Sequence, residues 1–543
     1  MPVSGLPTRS IRSTRTTGTL VVLVLAACGE PSSPPPRSAP VSASVVGASG
    51  IRPAEARLHE LARDVPGFGG YFIDSTGLTV AYVTDLARGE ALRRRVLQLT
   101  RAGHPGPTAA RVEIRKGDFD FPSLAHWRDI VSDQLLGVIP GVVMSDADEA
   151  ANRVTVGIDD ARHPGARGEV MRALARLGVP LAAVRLVVSG QVSPAVASPP
   201  LTARAASMML NQSLTDVPSP LVAGYLAVTP DLGHGCTFGP VVNYNGRAAV
   251  LLNSHCTSTT YGYDGSTIYT TDFAAIGSEG IDPGAQCGSG CRRSDAALIY
   301  LSTGVSFDVG RIARTTNVTY TWGSAGSLAV DQSNPTSDIV AVAAMSDVVS
   351  GMSVFKTGRT TGTTGGTVSN TCADILATDG LKRDCTITST YYVAGGDSGS
   401  PMYANAPGAG GVRLIGIVWG ADSTGHRGNS SYMYWVTSEI SGSYVIAHST
   451  PLGVYISGPS DVNNSASCRL AYQAVATGGG EGYSYSWSTD GVITEDYGDV
   501  VYAAFPDTPD GRYIEVTVTS ADGSSQTADL TVNSSAMYDM CNS

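Results

Sequence analysis

Residues 395–401 of this 543-residue chain read Gly-Gly-Asp-Ser-Gly-Ser-Pro, and no other run constrains the backbone so tightly. Glycines on both sides of one acid and one serine permit positive φ, so the chain can turn sharply and bring its own N–H groups close to a ligand. A serine hydroxyl is a poor nucleophile, and chemistry at it needs such donors facing a developing oxyanion. Ser398 is therefore the candidate nucleophile, and the N–H groups of Gly396 and Ser398 are the candidate donors. Asp-Ser-Gly is also a common turn tripeptide, so the run needs partners elsewhere in the chain.

The first partner is a general base, and histidine is the usual one near neutral pH. Among eight histidines, His255 ends the apolar strand-like run Ala248-Ala249-Val250-Leu251-Leu252-Asn253-Ser254 and is followed by Cys256, which is free to pin it. His234, shortly before Cys236 in a glycine-rich loop, is the rival, whereas His426 and His448 follow the serine without a comparable setting. The second partner is a carboxylate that orients the imidazole. Asp295 opens the otherwise apolar run Ala296-Ala297-Leu298-Ile299-Tyr300, where an isolated carboxylate would be costly to bury. The bland alternative is an aspartate capping a strand at a surface turn.

Together, His255-Cys256, Ser294-Asp295-Ala296-Ala297 and the 395–401 run resemble the motifs of chymotrypsin-like serine proteases, in that family's order. The bacterial, streptogrisin-like branch is the nearest flavour. Lys356-Thr357-Gly358-Arg359-Thr360-Thr361-Gly362, with Gly366-Thr367-Val368 after it, resembles that branch's strand-turn-strand ahead of the nucleophile. Gly416-Ile417-Val418-Trp419-Gly420 resembles the strand along which the substrate backbone lies. The resemblance covers residues 221–450 and implies an all-β, trypsin-like double six-stranded Greek-key barrel. It also implies a triad of His255, Asp295 and Ser398, an oxyanion hole from Gly396 and Ser398, substrate contacts at Tyr392, Val418, Trp419 and Gly420, and no cofactor.

Some features depart from the family. Leu252-Asn253-Ser254 replaces the usual small-residue run before the histidine, and no Ile-Val-Gly-Gly-like terminus stands near residue 221. The branch commonly supplies an internal arginine for the aspartate that here is Asp397, and without a partner that buried charge would let the loop collapse. Tyr392, six positions before the serine, is not an acid, so selection for Lys or Arg is not supported and small or apolar side chains are expected. Asp422 is the candidate to line the rim, a solvated loop aspartate being the alternative.

Nine cysteines are present, and Cys28 is unlike the rest. Residues 1–28 carry Arg9, Arg12 and Arg15 with no acid, then an apolar run over 20–27, too short to span a bilayer but suited to a signal peptide. Leu25-Ala26-Ala27-Cys28 resembles a bacterial lipobox, which implies lipidation of Cys28; an ordinary secretory signal is the alternative. The remaining cysteines are even in number in an exported chain, where disulfides persist. The resemblance implies Cys236–Cys256; spacing suggests Cys287–Cys291 and Cys372–Cys385, which leaves Cys468–Cys541. Neither Cys-x-x-Cys nor His-Glu-x-x-His occurs, so the spacing offers no metal site.

Length favours three or four domains. A net charge of −11 argues against nucleic acid as a partner. Residues 29–50, with Pro34-Pro35-Pro36, read as a tether. Residues 51–190 read as an α+β domain without a catalytic constellation: a hairpin over 69–74 and 78–83, helices over 87–100, 121–137 and 168–177, and a strand over 152–158. Its position resembles that of pro-regions that assist folding of slow β-barrels and block the cleft, a plain interaction or spacer domain being the alternative. Residues 191–220, with Pro194, Pro199 and Pro200, read as a second linker and the expected place of any maturation cleavage. The protease-like domain follows over 221–454. Residues 455–543 alternate as in an Ig- or PKD-like sandwich, a kind of module that binds a surface ligand or merely spaces. The expected protein is a bacterial, lipid-anchored envelope endopeptidase acting on protein or peptide, with release after cleavage. A catalytically idle adhesin and an esterase of the same architecture are the competing readings.

Overall fold

Short apolar–polar alternations closed by glycine turns fold as strands over most of the chain. The structure is a computed structural model; it describes residues 51–101, 111–195, 212–229, 234–287, 290–406, 411–423, 427–448, 452–462, 470–477, 483–505, 512–520 and 525–534. Cys28, His426, Cys468 and Cys541 lie outside the described residues.

The first α/β region begins with helix Ala56–Asp64 and continues in a hairpin, Phe68–Ile73 against Thr79–Val83, whose second strand pairs in parallel with Val112–Lys116. Helix Gly89–Arg101 buries Leu92 and Val96, four residues apart and so on one face. Helix Phe121–Gln134 starts where the Asp120 side chain accepts from the Ser123 N–H, and buries Phe121, Leu124, Ala125, Arg128 and Val131. It stops three residues short of the expected 137, because Leu135 leaves helical geometry and Gly137 takes φ +76°. Beyond it, Val142–Asp148 pairs antiparallel with Arg153–Ile158, which pairs in parallel with Val184–Val188 across helix Ala166–Arg176.

A long hairpin, Gly362–Leu376 with Lys382–Tyr392, joins this region to the next. Asp374 and Ile375 pair antiparallel with Ser145 and Met144, so the two sheets run into one. Arg52 clamps the buried Asp374 carboxylate with two bonds of 2.6 and 2.9 Å, and Ser132 donates to it as well. Beside that clamp, Arg128 makes a buried fork to Glu55 at 2.6 and 3.1 Å.

Residues 221–448 form two sheets. One has eight strands, with Ala275–Ile281, Ala297–Leu301, Arg247–Leu252 and Val241–Tyr244 side by side. The other contains the long hairpin, Ser353–Gly358, Pro401–Asn405, Val412–Asp422 and Arg427–Tyr432. Ala249, Leu251 and Leu298 from the first share a buried cluster with Leu414 and Ile417 from the second. Cys236–Cys256, Cys287–Cys291 and Cys372–Cys385 are disulfides. Past residue 452, two four-stranded sheets enclose Tyr472, Val501, Phe505, Ile514 and Val532. Their first strand, Gly453–Ser457, pairs with Leu470–Thr477.

Acids crowd the join between the α/β region and the long hairpin. Burial, reinforced by the Asp148 charge, pushes the Asp146 carboxyl up to about 7, although the Asn370 amide donates to it at 2.7 Å. Burial pushes Glu149 up too, with Thr371 donating to it at 2.8 Å. A carboxyl raised by folding supports the folded state while protonated, and that support is lost as pH rises from about 4 to about 7. Asp146→Asn is expected to leave stability in urea nearly unchanged at pH 4 and to raise it at pH 8, by on the order of 2 kcal/mol. Equal effects at the two pH values would contradict this.

Candidate active site

Two adjacent strands place the base and the acid. Leu252 at the end of Arg247–Leu252 pairs with Ala297 at the start of Ala297–Leu301, so the residues just beyond those ends face each other. Those residues are the short 3-10 turn Ser254–Cys256 and Asp295. The His255 N–H donates to Asp295 Oδ1 at 3.3 Å, and the Cys236–Cys256 disulfide ties the turn to the neighbouring strand. His255 Nδ1 lies 2.8 Å from Asp295 Oδ2, and Nε2 lies 2.7 Å from Ser398 Oγ. With the ring proton on Nδ1, the imidazole donates to the carboxylate and Nε2 is free to accept from the hydroxyl. Asp295 and Ser398 are wholly buried and His255 nearly so. Burial alone would push the Asp295 carboxyl up; attraction to His255, the hydrogen bond it makes, and the charges of Arg383 and Arg292 outweigh that and hold it well below the usual carboxylate range.

The serine stands on a turn that only glycine allows, with φ +99° at Gly396 and +92° at Gly399. A Cβ on Gly399 would collide with the Thr237 carbonyl oxygen. Asp397, between them, is buried and fully partnered. It accepts from Thr361 Oγ1 at 2.6 Å and from the N–H groups of Ala394, Thr360 and Thr361 at 3.1–3.2 Å. Its cation is Lys356, 3.2 Å away and wholly buried, and not the arginine expected from the sequence. The nearby Arg359 instead donates to the Gly235 carbonyl at 3.0 Å. The pairing Gly358↔Gly362 folds the 356–362 turn back so that Lys356 Nζ points under the serine loop.

The cleft beside the serine holds the chain's own backbone. Strand Val192–Pro194 pairs antiparallel with Val412–Asp422, placing Pro194 opposite Gly420, Ser193 opposite Ala421 and Val192 opposite Asp422. The Ala195 N–H donates to the Trp419 carbonyl at 3.1 Å, and the Ala195 carbonyl accepts from the Gly396 N–H at 2.6 Å. Of the expected substrate-side residues, Trp419 and Gly420 therefore meet the segment directly. Val418 is buried behind them, with its N–H donating to the Ser400 carbonyl at 2.9 Å. The Tyr392 carbonyl is taken by Thr364 at 2.9 Å.

Sequence reasoning missed this occupant, because proline, serine and alanine read as linker; Gln191-Val192-Ser193-Pro194-Ala195 does alternate, and an edge position tolerates its proline. It also missed Lys356, and it missed Tyr261 and Arg383, both of which touch Asp295. His448 is engaged by the Val309 carbonyl and Arg311 at 2.9 and 2.8 Å, and His234 opens the strand His234–Thr237. Removing one member of the buried Lys356–Asp397 pair leaves an uncompensated charge, so Lys356→Met is expected to cost about 3–5 kcal/mol and to abolish activity at the serine. The double variant Lys356→Met/Asp397→Asn is expected to regain most of that stability in thermal unfolding; a single variant as stable as wild type would contradict it.

No family model matches the chain, and no curated protein does. Solved structures similar to it include a glutamic-acid-specific serine protease that uses a histidine triad in substrate binding, with TM-score 0.30 and 20% identity over 40% of this chain and 97% of that one. Another is the secreted serine protease VesC from Vibrio cholerae, with TM-score 0.23 and 11% identity over 60% of this chain and 71% of that one.

Proposed function

We propose that this chain is a serine endopeptidase on a chymotrypsin-like double barrel and that its first substrate is its own Ala195–Val196 bond. One observation carries the reading: the Ala195 carbonyl accepts from Gly396 at 2.6 Å while Ser398 Oγ sits 2.7 Å from the imidazole of His255. A peptide laid as an extra strand with its carbonyl at such a donor has the pose of a bound substrate or a cleaved product.

The reaction follows from that pose. Ser398 Oγ attacks the carbonyl carbon of residue 195 as His255 Nε2 takes the hydroxyl proton, and the N–H groups of Gly396 and Ser398 hold the oxyanion. Collapse breaks the C–N bond, His255 gives the proton to the departing amine of Val196, and the acyl group stays on Ser398. Water, deprotonated by His255, then attacks the ester, freeing the Ala195 carboxyl group and restoring the serine. Asp295 stays ionised throughout and faces the imidazolium each time it forms.

The same contacts support the finer points. Ala195 is 5% exposed and shares a buried apolar cluster with Tyr391, Val393 and Val418, which fits small apolar side chains before the scissile bond. Residues 51–195 act as a scaffold for folding and, through 192–195, as an inhibitor lying in the cleft. The signal-like segment ending in Cys28 supports an envelope protein held by lipid until cleavage after Ala195 frees residues 196–543. The Ig- or PKD-like sandwich travels with the protease. The idle-adhesin reading fits less well, since a binding scaffold has no need of a base, an acid and a hydroxyl in hydrogen-bonding register.

Intact mass and N-terminal sequencing of the purified chain test this. Wild type is expected to yield a fragment beginning at Val196, Ser398→Ala to stay whole, and Ala195→Lys to slow the cut by about 100-fold, because the charge has no partner in an apolar site. The same cut in purified Ser398→Ala would overturn the proposal.

A further inference from the structure

Asp295 has partners that the Ser398–His255–Asp295 relay does not use. Tyr261 donates its hydroxyl to Asp295 Oδ2 at 2.9 Å, and Arg383 Nη2 donates to the same oxygen at 3.0 Å. Arg383 and Tyr261 also touch each other. The Arg383 side chain is 1% exposed, and its other nitrogen contacts go to both carboxylate oxygens of Asp379, at 3.1 and 2.7 Å. Its guanidinium stacks 4.2 Å from the ring centre of Trp419, the residue whose carbonyl holds the Ala195 N–H. Tyr261 reaches the acid only by holding φ +61°, a conformation L side chains rarely adopt, fixed by its N–H donating to Ser254 Oγ at 2.6 Å. The remaining charges around the group are Arg292, 4.6 Å over the Tyr261 ring, with its own partners Asp282 at 3.3 Å and Glu439 at 3.5 Å.

Resting on the endopeptidase reading, we propose that Arg383 and Tyr261 are positioning residues that hold Asp295 as a fixed anion and share out its charge between the imidazole and two further donors. A carboxylate facing only an imidazole directs its whole field to stabilising the imidazolium. One that also accepts from a guanidinium and a phenol offers less, and the cation itself repels the imidazolium. The ion pair with Asp379 keeps Arg383 from swinging fully onto Asp295, and the stack on Trp419 aligns the acid with the strand that carries the substrate.

The test compares wild type with Arg383→Met, Arg383→Lys and Tyr261→Phe, each purified from the full chain. Two readouts are followed against pH: the low-field proton resonance of the His255 Nδ1–H, and hydrolysis of a Val-Ser-Pro-Ala p-nitroanilide. In Arg383→Met the midpoint of the resonance and the acidic limb of kcat/KM are both expected to rise by about one pH unit, with a smaller rise in Tyr261→Phe, whose ring is kept. Arg383→Lys should restore most of the wild-type midpoint. Folded variants whose midpoints coincide with that of wild type would overturn the proposal. A wild type that shows the resonance yet never cleaves the peptide overturns the endopeptidase reading instead, and the resonance still judges Arg383.

Discussion

Asp295 is a wholly buried carboxylate, and the layout around the cleft follows from the need to compensate it. Left alone in an apolar core, the charge would be neutralised by protonation, and a neutral acid would not hold an imidazole in one tautomer. Four donors converge on it: the His255 ring, the His255 N–H, the Tyr261 hydroxyl and the Arg383 guanidinium. Each comes from a segment with its own reason for being there. The histidine turn is tied by the Cys236–Cys256 disulfide, Tyr261 is pinned through Ser254, and Arg383 rides on the long hairpin. The serine loop repeats the logic with Asp397 and Lys356.

The long hairpin links this compensation to the rest of the chain. Arg383 pairs in register with Ile375, and Asp374, next to it, is the carboxylate that Arg52 clamps. The region before residue 195 thus grips the element that braces Asp295, and its last strand lies along Val412–Asp422. Contacts of this kind are far apart in sequence, which is where a β-rich chain loses most loop-closure entropy during folding. The α/β region offers Met144 and Ser145 as an edge on which the hairpin pairs.

Local chemistry was readable in the amino-acid sequence, and long-range partnership was not. The glycines of the serine turn, the histidine after a buried strand and the acid before another all carry their reasons within a few neighbouring residues, and the structure brings them together. Amphipathic spacing found the helix that buries Leu92 and Val96, while Gly137 ended the next one before the apolar pattern did. Lys356 in place of an arginine could not be read, since either cation satisfies Asp397 and only the fold decides which reaches it. Arg383 likewise looks like a surface residue beside a turn; what buries it is a sheet assembled from distant strands, and the half-buried Tyr261 reaches it from a separate loop. Ala195 was hidden for a different reason: its neighbours have the composition of a linker, and its order comes from the backbone of Trp419 and Gly396 and from the apolar cluster of Tyr391, Val393 and Val418.

The central claim is that Ser398 is an activated nucleophile, and a fluorophosphonate reports that directly. Incubating the purified protein with the reagent and mapping the adduct by peptide mass spectrometry is expected to place a single phosphonyl group on Ser398, with the rate of labelling collapsing in His255→Ala and the adduct absent from Ser398→Ala. Folded wild-type protein that leaves Ser398 unmodified, or that reacts at the same rate without His255, would contradict the account.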